Sequence, residues 1–348
     1  MNLSHLDGSA SETQPVVSII VPARNEEANL RRCLDSLLAQ DGIAFEIIVV
    51  NDHSDDRTRA IALEYRMFKV LDARPVLPGW TGKANAVVTA LPHASGQWLL
   101  FTDADTFHLP GSLKLALREA ESGKVDMLSY SPSQDVHGVI KRGVMAVIFA
   151  ELASQYPSSL VNDPNASVAA ANGQYLLIRR SAYDAVGGHA KVAASLLEDV
   201  ELAKLLKSAG YLIRFRFGGE AVHTEMYRTW PALIEGWTKN LALLFPHPVA
   251  LAAFRVTEFA AILWFAGHFF IKVRASGAEA GLWDGVAVSF LVASFVYRIQ
   301  RSHSAGSNIA AFLGLPVFAA LLLHSYFHLG VKRSVQWKGR TYLSSWPK

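Results

Sequence analysis

The stretch from Trp98 to Asp105 constrains the fold more than any other part of the chain. Its apolar run is too short to show a helical face, and it ends in two carboxylates, Asp103 and Asp105. This pattern predicts a buried strand whose carboxyl end opens into a site. Two carboxylates so close repel each other unless a cation lies between them, which indicates a hard divalent ion. The alternative is that both acids cap a helix beginning near Ser112.

Strands and helices alternate along the first 240 residues. β-branched and apolar runs predict further buried strands at 16–22, 45–50 and 68–71, and helical spacing predicts helices at 30–38 and 58–65. This alternation predicts an α/β fold with a doubly wound, mostly parallel sheet.

Polar clusters fall where these strands end. They are Asn25–Glu26, Asp52, Lys83 and Asp103–Asp105. Because ligands of open parallel sheets bind beyond the carboxyl ends of the strands, we expect these clusters to meet at one site.

Composition excludes several classes of protein. The single cysteine, Cys33, excludes an intramolecular disulfide and a cysteine-based zinc site. The net charge of +3 is small, and basic residues do not interleave with aromatic ones along one stripe, so nucleic acid is not an expected partner. Residues 1–14 are polar without a signal-peptide pattern, and we expect them to be disordered.

Charge is distributed unevenly between the two parts of the chain. Residues 241–331 contain only eight charged residues, and the apolar segments 251–271, 282–299 and 308–331 predict about three membrane helices. The tail, 332–348, is basic without a single acid, which favours the cytoplasmic side. Three crossings from the inside would leave this tail outside. For the tail to be cytoplasmic, either an extra interfacial or re-entrant pass lies near 241–254 or one candidate helix does not cross; we favour the extra pass.

Five motifs carry a resemblance to a known family. In chain order they are Pro22–Glu26, Asn51–Asp56, Gly82–Asn85, Asp103–Asp105 and Glu198–Asp199. Together they resemble the inverting family 2 glycosyltransferases of GT-A fold, over a domain of residues 15–240. The ending Trp337–Tyr342 is similar to that of the subgroup that glycosylates carotenoid- and hopanoid-type lipids. The stretch 235–240 departs from the Gln-x-x-Arg-Trp motif of processive synthases, which argues against polymer synthesis.

The resemblance implies a nucleotide-sugar donor, most simply a UDP-sugar. Asp52 would contact the base and ribose, and Pro22, Asn25 and Glu26 would close the base pocket. Lys83 would approach the diphosphate, and Arg340 of the cytoplasmic tail would help to neutralise it.

The resemblance also implies the metal and catalytic residues. Asp105 would bind Mg2+ or Mn2+ directly, and Asp103 would face the sugar or ribose beside it. In the Glu198–Asp199 pair, Asp199 would take the proton from the acceptor hydroxyl.

Most of these residues also have a structural explanation. Glu26, Lys83 and Asp199 are typical of first helical turns, and Asp52 and Asp56 of turns and caps. His223 is a further candidate ligand, for which a structural role is favoured. The family usually has glycine where this chain has His53, so the left-handed turn that glycine allows must be made without it.

The sequence thus predicts a multi-pass membrane protein with a cytoplasmic, metal-dependent, inverting glycosyltransferase domain. It would move one sugar to a lipid-like acceptor and contact membrane lipids. Polyprenyl-phosphate glycosylation is the alternative reaction. A catalytically silent membrane binding protein is the alternative of another class.

Overall fold

The described residues form a seven-stranded sheet, a three-stranded sheet, a helical region and a two-stranded hairpin that follows it. A computed structural model describes residues 15–299 and 305–343, so the prediction for residues 1–14 lies outside the described residues. The strands are β1 (Val17–Ala23), β2 (Phe45–Asn51), β3 (Lys69–Asp72), β4 (Trp98–Phe101), β5 (Thr106–His108), β6 (Met127–Ser131), β7 (Ser133–Gln134), β8 (Leu176–Arg179), β9 (Ile213–Phe217), β10 (Val222–Thr224), β11 (Ser334–Trp337) and β12 (Arg340–Leu343).

The helices are distributed between and after these strands. They are α1 (Leu30–Leu38), α2 (Thr58–Leu63), α3 (Gly82–Ala90), α4 (Ser112–Ser122), α5 (Val139–Gln155), α6 (Ser158–Val161), α7 (Arg180–Ala185), α8 (Gly188–Lys191), α9 (Glu198–Ser208), α10 (Trp230–Asn240), α11 (Pro248–Ser276), α12 (Leu282–Ile299) and α13 (Ala305–Tyr326).

The central sheet has seven strands in the order β3-β2-β1-β4-β8-β6-β9. Neighbouring strands are parallel except at β8, which is antiparallel to both β4 and β6. The predicted mostly parallel α/β sheet is confirmed. A smaller sheet, β5-β10-β7, lies beside it.

Alternate residues of the central strands face opposite layers of helices. Ile19 and Val21 pack with α1 and α4, whereas Ile20 packs with α3, α7 and α9. All three are fully buried. Because helices cover both faces, β4 and, apart from Ser18, β1 are apolar along their length instead of alternating, which explains why the sequence shows them as nearly continuous apolar runs.

Three helices of the C-terminal region are long and apolar enough to cross a membrane: Pro248–Ser276, Leu282–Ile299 and Ala310–Val331. Large apolar side chains of α11 and α12, such as Trp264, Trp283 and Phe290, are exposed. The region near 241–254 forms no separate pass, because Leu241–Leu244 is a short 3-10 turn with a buried Leu241 and Pro248 already begins α11.

A buried charge network joins α5 to the first two of these helices. Arg255 Nε lies 2.8 Å from Glu151, and Arg255 Nη1 lies 3.0 Å from Glu258. Arg298 Nη2 lies 2.9 Å from Glu258 and its Nε 3.4 Å from Glu151. Two positive and two negative groups therefore offset one another at the base of α11 and α12, where an unpaired charge would be costly.

Helices α5 and α13 approach each other at two glycines. A Cβ at Gly143 would lie 2.0 Å from the carbonyl oxygen of Ala310, and one at Gly314 would lie 2.4 Å from the backbone of Gly143. Small residues at such a crossing let two helix backbones touch, as is common in membrane proteins.

We expect Gly143→Ala to lower the free energy of unfolding by about 2 kcal/mol or more, because the added methyl group forces the two backbones apart. Gly267→Ala in α11 is the matched control, since no atom lies within 4 Å of the new Cβ. The check is thermal unfolding of the full-length protein in detergent. Equal midpoints for the two variants would contradict the close packing of α5 and α13.

Candidate active site

One cavity of about 1220 Å³ opens at the carboxyl ends of β1, β2 and β4. The predicted site residues that line it are Pro22, Asn25, Glu26, Asp52, Lys83, Asp103, Asp105, Glu198 and Asp199. Arg340 reaches its edge through Asp52. The structure therefore brings all the predicted positions together, and their individual roles stay predictions.

Asp105 is the least satisfied acid of the site. Its Oδ1 atom is buried and has no hydrogen-bond partner. Burial, together with the charges of Glu26 and Asp103, raises the pKa of Asp105 to about 7. A positive charge beside this unpartnered Oδ1 atom would stabilise the ionised form of Asp105.

The site around Asp105 fits a divalent cation whose coordination is completed by the substrate. Among the described residues no group of three or more histidine, cysteine, aspartate or glutamate side chains is arranged to hold a metal. Mg2+ and similar ions are commonly bound by one or two carboxylates plus substrate phosphates and water. Asp105 and Asp103 match that arrangement, and the orphaned Oδ1 atom of Asp105 is the observation that supports it.

Lys83 connects two parts of the site. It lies in the first turn of α3, which Thr81 caps by accepting a hydrogen bond from the backbone N–H of Ala84. Its Nζ lies 2.7 Å from Asp103 and 2.9 Å from Glu198. Burial lowers the pKa of Lys83, but the neighbouring carboxylates outweigh burial and raise it well above its usual value. Lys83 is therefore charged and is not a solvated surface lysine.

Glu198 and Asp199 are adjacent in sequence but differ in acidity. Burial raises the pKa of Glu198, yet Lys83 and Lys239 lower it to about 2. Burial and the charge of Glu198 raise the pKa of Asp199 to about 6. The Asp199 carboxylate accepts hydrogen bonds from the backbone N–H groups of Gly173, at 2.7 Å, and Val200, at 2.8 Å. Glu198 is thus a permanent anion, and Asp199 exchanges a proton near neutral pH.

The C-terminal hairpin β11–β12 lies against the side of the cavity that contains Glu26 and Asp52, and the sequence analysis did not predict it. Arg340 donates two hydrogen bonds to Asp52, at 2.5 and 2.9 Å, and Lys338 pairs with Glu26. Gly82 makes room for this contact, since a Cβ there would lie 1.8 Å from Arg340 Nη1. Arg340 was expected at a diphosphate, and in the structure it contacts the carboxylate of Asp52.

Two loop residues supply the turns that glycine usually makes. Asn25 has φ of 51° and His53 has φ of 53°, both left-handed. Asn25 Oδ1 accepts a hydrogen bond from the backbone N–H of Asp55 at 2.9 Å, which ties the β1 and β2 loops together. The residue that replaces the family's glycine, His53, therefore adopts the left-handed turn itself, and asparagine and histidine tolerate that conformation better than most residues do.

Two other candidates have structural roles. Asp56 accepts a hydrogen bond from the backbone N–H of Thr58 at 2.9 Å and stabilises the start of α2. His223 Nε2 lies 2.8 Å from the carbonyl oxygen of Gly219, which supports the structural interpretation of this histidine.

The other half of the cavity is apolar. Its walls come from α5, α10 and the turn after α10, and they include Phe149, Leu152, Tyr156, Trp237 and Leu244. The sequence analysis did not identify α10 as part of this wall. Lys239, at the end of α10, also lines the cavity.

Comparison with known proteins finds similar sequences over most of this chain. Residues 18–187 match the family model "Glycosyl transferase family 2". The 4,4'-diaponeurosporenoate glycosyltransferase of Staphylococcus haemolyticus is 28% identical, over 95% of this chain and 89% of the relative. Its counterpart in Staphylococcus aureus is 26% identical, over 94% and 88%.

A solved structure of similar fold is the mannosyltransferase PcManGT from Pyrobaculum calidifontis in complex with GDP-Man and Mn2+. The two chains share 17% identity and a TM-score of 0.52, over 92% of this chain and 89% of the other. This similarity confirms the GT-A fold class.

The unpaired carboxylate gives a direct prediction about metal binding. Asp105→Asn removes the charge, and we expect it to weaken Mn2+ binding in the presence of UDP by on the order of 100-fold or more, since loss of an outer ligand already costs 10- to 100-fold. Electron paramagnetic resonance of free Mn2+ measures this. The control is Asp55→Asn, an exposed acid of the neighbouring loop. Unchanged binding by Asp105→Asn would remove Asp105 from the metal site.

Proposed function

We propose that this glycosyltransferase, whose residues 18–187 form a family 2 domain, transfers one sugar from a nucleotide donor to a lipid-like acceptor at a membrane surface. The donor is a UDP-sugar, the metal is Mg2+ or Mn2+, and the configuration at the anomeric carbon is inverted. The observation that carries the proposal is the gathering of Asp52, Asp105 and Asp199 around one cavity with room for a nucleotide sugar.

The donor side of the reaction depends on charge. When a divalent ion is bound, it neutralises the negative charge that grows on the leaving diphosphate. Lys83 lies beside Asp103 and supplies a further positive charge on the same side. For the nucleobase of the donor to reach the Asp52 carboxylate, the guanidinium of Arg340 must move away from it. Arg340 can then contact a phosphate of the donor.

The acceptor side depends on Asp199. With a hydroxyl acceptor, the Asp199 carboxylate takes the proton as the oxygen attacks the anomeric carbon, on the face opposite the diphosphate. The apolar walls of the cavity support a lipid-like body for this acceptor. The curated relatives are named for an acceptor whose ending, -oate, denotes a carboxylate. An ionised acid needs no base, and neither does the phosphate of a polyprenyl phosphate.

Asp199→Asn separates these acceptors. We expect the rate with a hydroxyl acceptor to fall by about 10²- to 10⁴-fold, and the rate with an acid or phosphate acceptor to fall far less. In the wild type, the hydroxyl reaction should lose about tenfold per pH unit below pH 6, because the pKa of Asp199 is about 6 and only the ionised form accepts a proton. The measurement is the initial rate against pH, with Glu201→Gln on the exposed face of α9 as control. An acid limb that persists in Asp199→Asn would assign it to another group.

Membrane anchoring is proposed from α11 and α12. The ion pairs of Arg340 and Lys338 place the C-terminal hairpin against the catalytic domain. Both must lie on one side of the bilayer, so the number of complete crossings is even. Within an apolar stretch of 18 residues in Ala310–Val331, half of the residues are buried inside the protein, against 22% and 17% in the corresponding stretches of the other two candidate helices. We therefore propose that α11 and α12 cross and that α13 lies against α5 without a complete crossing, with the catalytic domain in the cytoplasm.

Reporter fusions check this topology. Fused after Lys348, a fluorescent protein should be bright and alkaline phosphatase inactive in a bacterial host, because the tail stays with the cytoplasmic domain. Alkaline phosphatase inserted after Gly277, between α11 and α12, should be active. Active phosphatase after Lys348 would show an odd number of crossings and would separate the hairpin from the donor site.

A further inference from the structure

Lys239 occupies the boundary between the polar and apolar halves of the cavity. It lies in the last turn of α10, the helix that also supplies Trp237 to the apolar wall. Its Nζ lies 5.1 Å from the centre of the Trp337 ring, which belongs to the C-terminal hairpin. Lys239 is therefore held by an aromatic face instead of by a carboxylate.

The other cations of this region already have partners: Arg24 donates to the backbone carbonyl oxygens of Asp52, His53 and Lys338, and the remaining ones pair with carboxylates. Lys83, Lys338 and Arg340 pair with Asp103 and Glu198, with Glu26 and with Asp52, respectively. At the cavity rim, Arg216 and Arg228 pair with glutamates. Within residues 15–299 and 305–343, no carboxylate lies within 4.0 Å of Lys239, although its charge acts on the carboxylate of Glu198. Lys239 is thus a lining lysine that can meet an incoming anion without breaking an ion pair.

Position favours an anion on the acceptor over the diphosphate of the donor. The donor side, around Asp52 and Glu26, already holds Arg340 and Lys338, whereas Lys239 lies on the helix that walls the apolar half. An anionic acceptor entering that half approaches Glu198 and Asp199, two acids that repel it. A nearby ammonium group offsets this repulsion.

We propose that Lys239 binds the carboxylate of an apolar acid acceptor and selects acids over alcohols of the same chain. This inference rests on the proposed function. In the reaction, a carboxylate oxygen of the acceptor forms a bond to the anomeric carbon, and the bond from that carbon to the diphosphate oxygen breaks. The nucleoside diphosphate leaves with the electron pair. No proton is removed, and the product is a glycosyl ester.

The test compares Lys239→Gln and Lys239→Arg in the full-length enzyme in nanodiscs, with a long-chain unsaturated fatty acid and the alcohol of the same chain as acceptors. For Lys239→Gln we expect the KM for the acid to rise about 10- to 150-fold, the range for loss of a charged hydrogen bond. The KM values for the alcohol and for the UDP-sugar should stay within about twofold. Lys239→Arg should recover part of the affinity for the acid. Lys204→Gln, an exposed lysine of α9, controls for loss of charge at a distance.

The other outcomes are distinguishable. A rise in the KM for the UDP-sugar with both acceptors would assign Lys239 to the diphosphate and overturn the inference. Equal losses with acid and alcohol, or a lower thermal midpoint that Lys239→Arg shares, would make Lys239 structural and also overturn it. A wild type that transfers sugar only to the alcohol overturns the inference alone. A wild type without metal-dependent transfer to either acceptor refutes the proposed function itself.

Discussion

The active site depends on the ammonium group of Lys83, which lies between two carboxylates from distant parts of the chain. Asp103 comes from the end of β4 and Glu198 from the start of α9, and both lie within 3 Å of Lys83 Nζ. Lys83 offsets the repulsion among the acids that meet at this edge of the sheet, together with the more distant charges of Lys239 and Lys338. Lys83 therefore joins the end of β4 to the start of α9 across the cavity.

This arrangement explains how two neighbouring acids take different roles. The contact with Lys83 holds Glu198 ionised, while Asp199 faces the cavity one residue further on without a cation in direct contact. Burial and the permanent charge of Glu198 then raise the pKa of Asp199 into the range useful for a base. Separating the acidities of paired carboxyl groups by their surroundings is a general way to create an acid–base residue.

The C-terminal hairpin connects the apolar helices to the cavity at the edge of the sheet. It follows α13, pairs through Arg340 and Lys338 with two acids of the donor side, and presents Trp337 to Lys239. The backbone N–H of Lys338 also donates to Glu235 of α10, at 2.9 Å. The segment after the last apolar helix thus becomes a wall of the cavity. The basic residues Lys338 and Arg340 of this segment thus pair with acids of the cavity.

The sequence by itself determined the sheet, its helical layers and the positions of most site residues. Periodicity and apolar runs are local properties of the sequence, and they correctly predict the positions of β1, β4 and α4. The Asp103–Asp105 pair could be assigned to the site because the carboxyl ends of parallel strands lie at one edge of a sheet. The sequence did not reveal that β8 is antiparallel to its neighbours, nor did it reveal the hairpin β11–β12, the partner of Arg340 or the place of Lys239. Each of these depends on contacts between residues far apart in the chain, as between Arg340 and Asp52. Only the tertiary structure decides which charges face each other, because ion pairing depends on distance in space and leaves no period in the sequence.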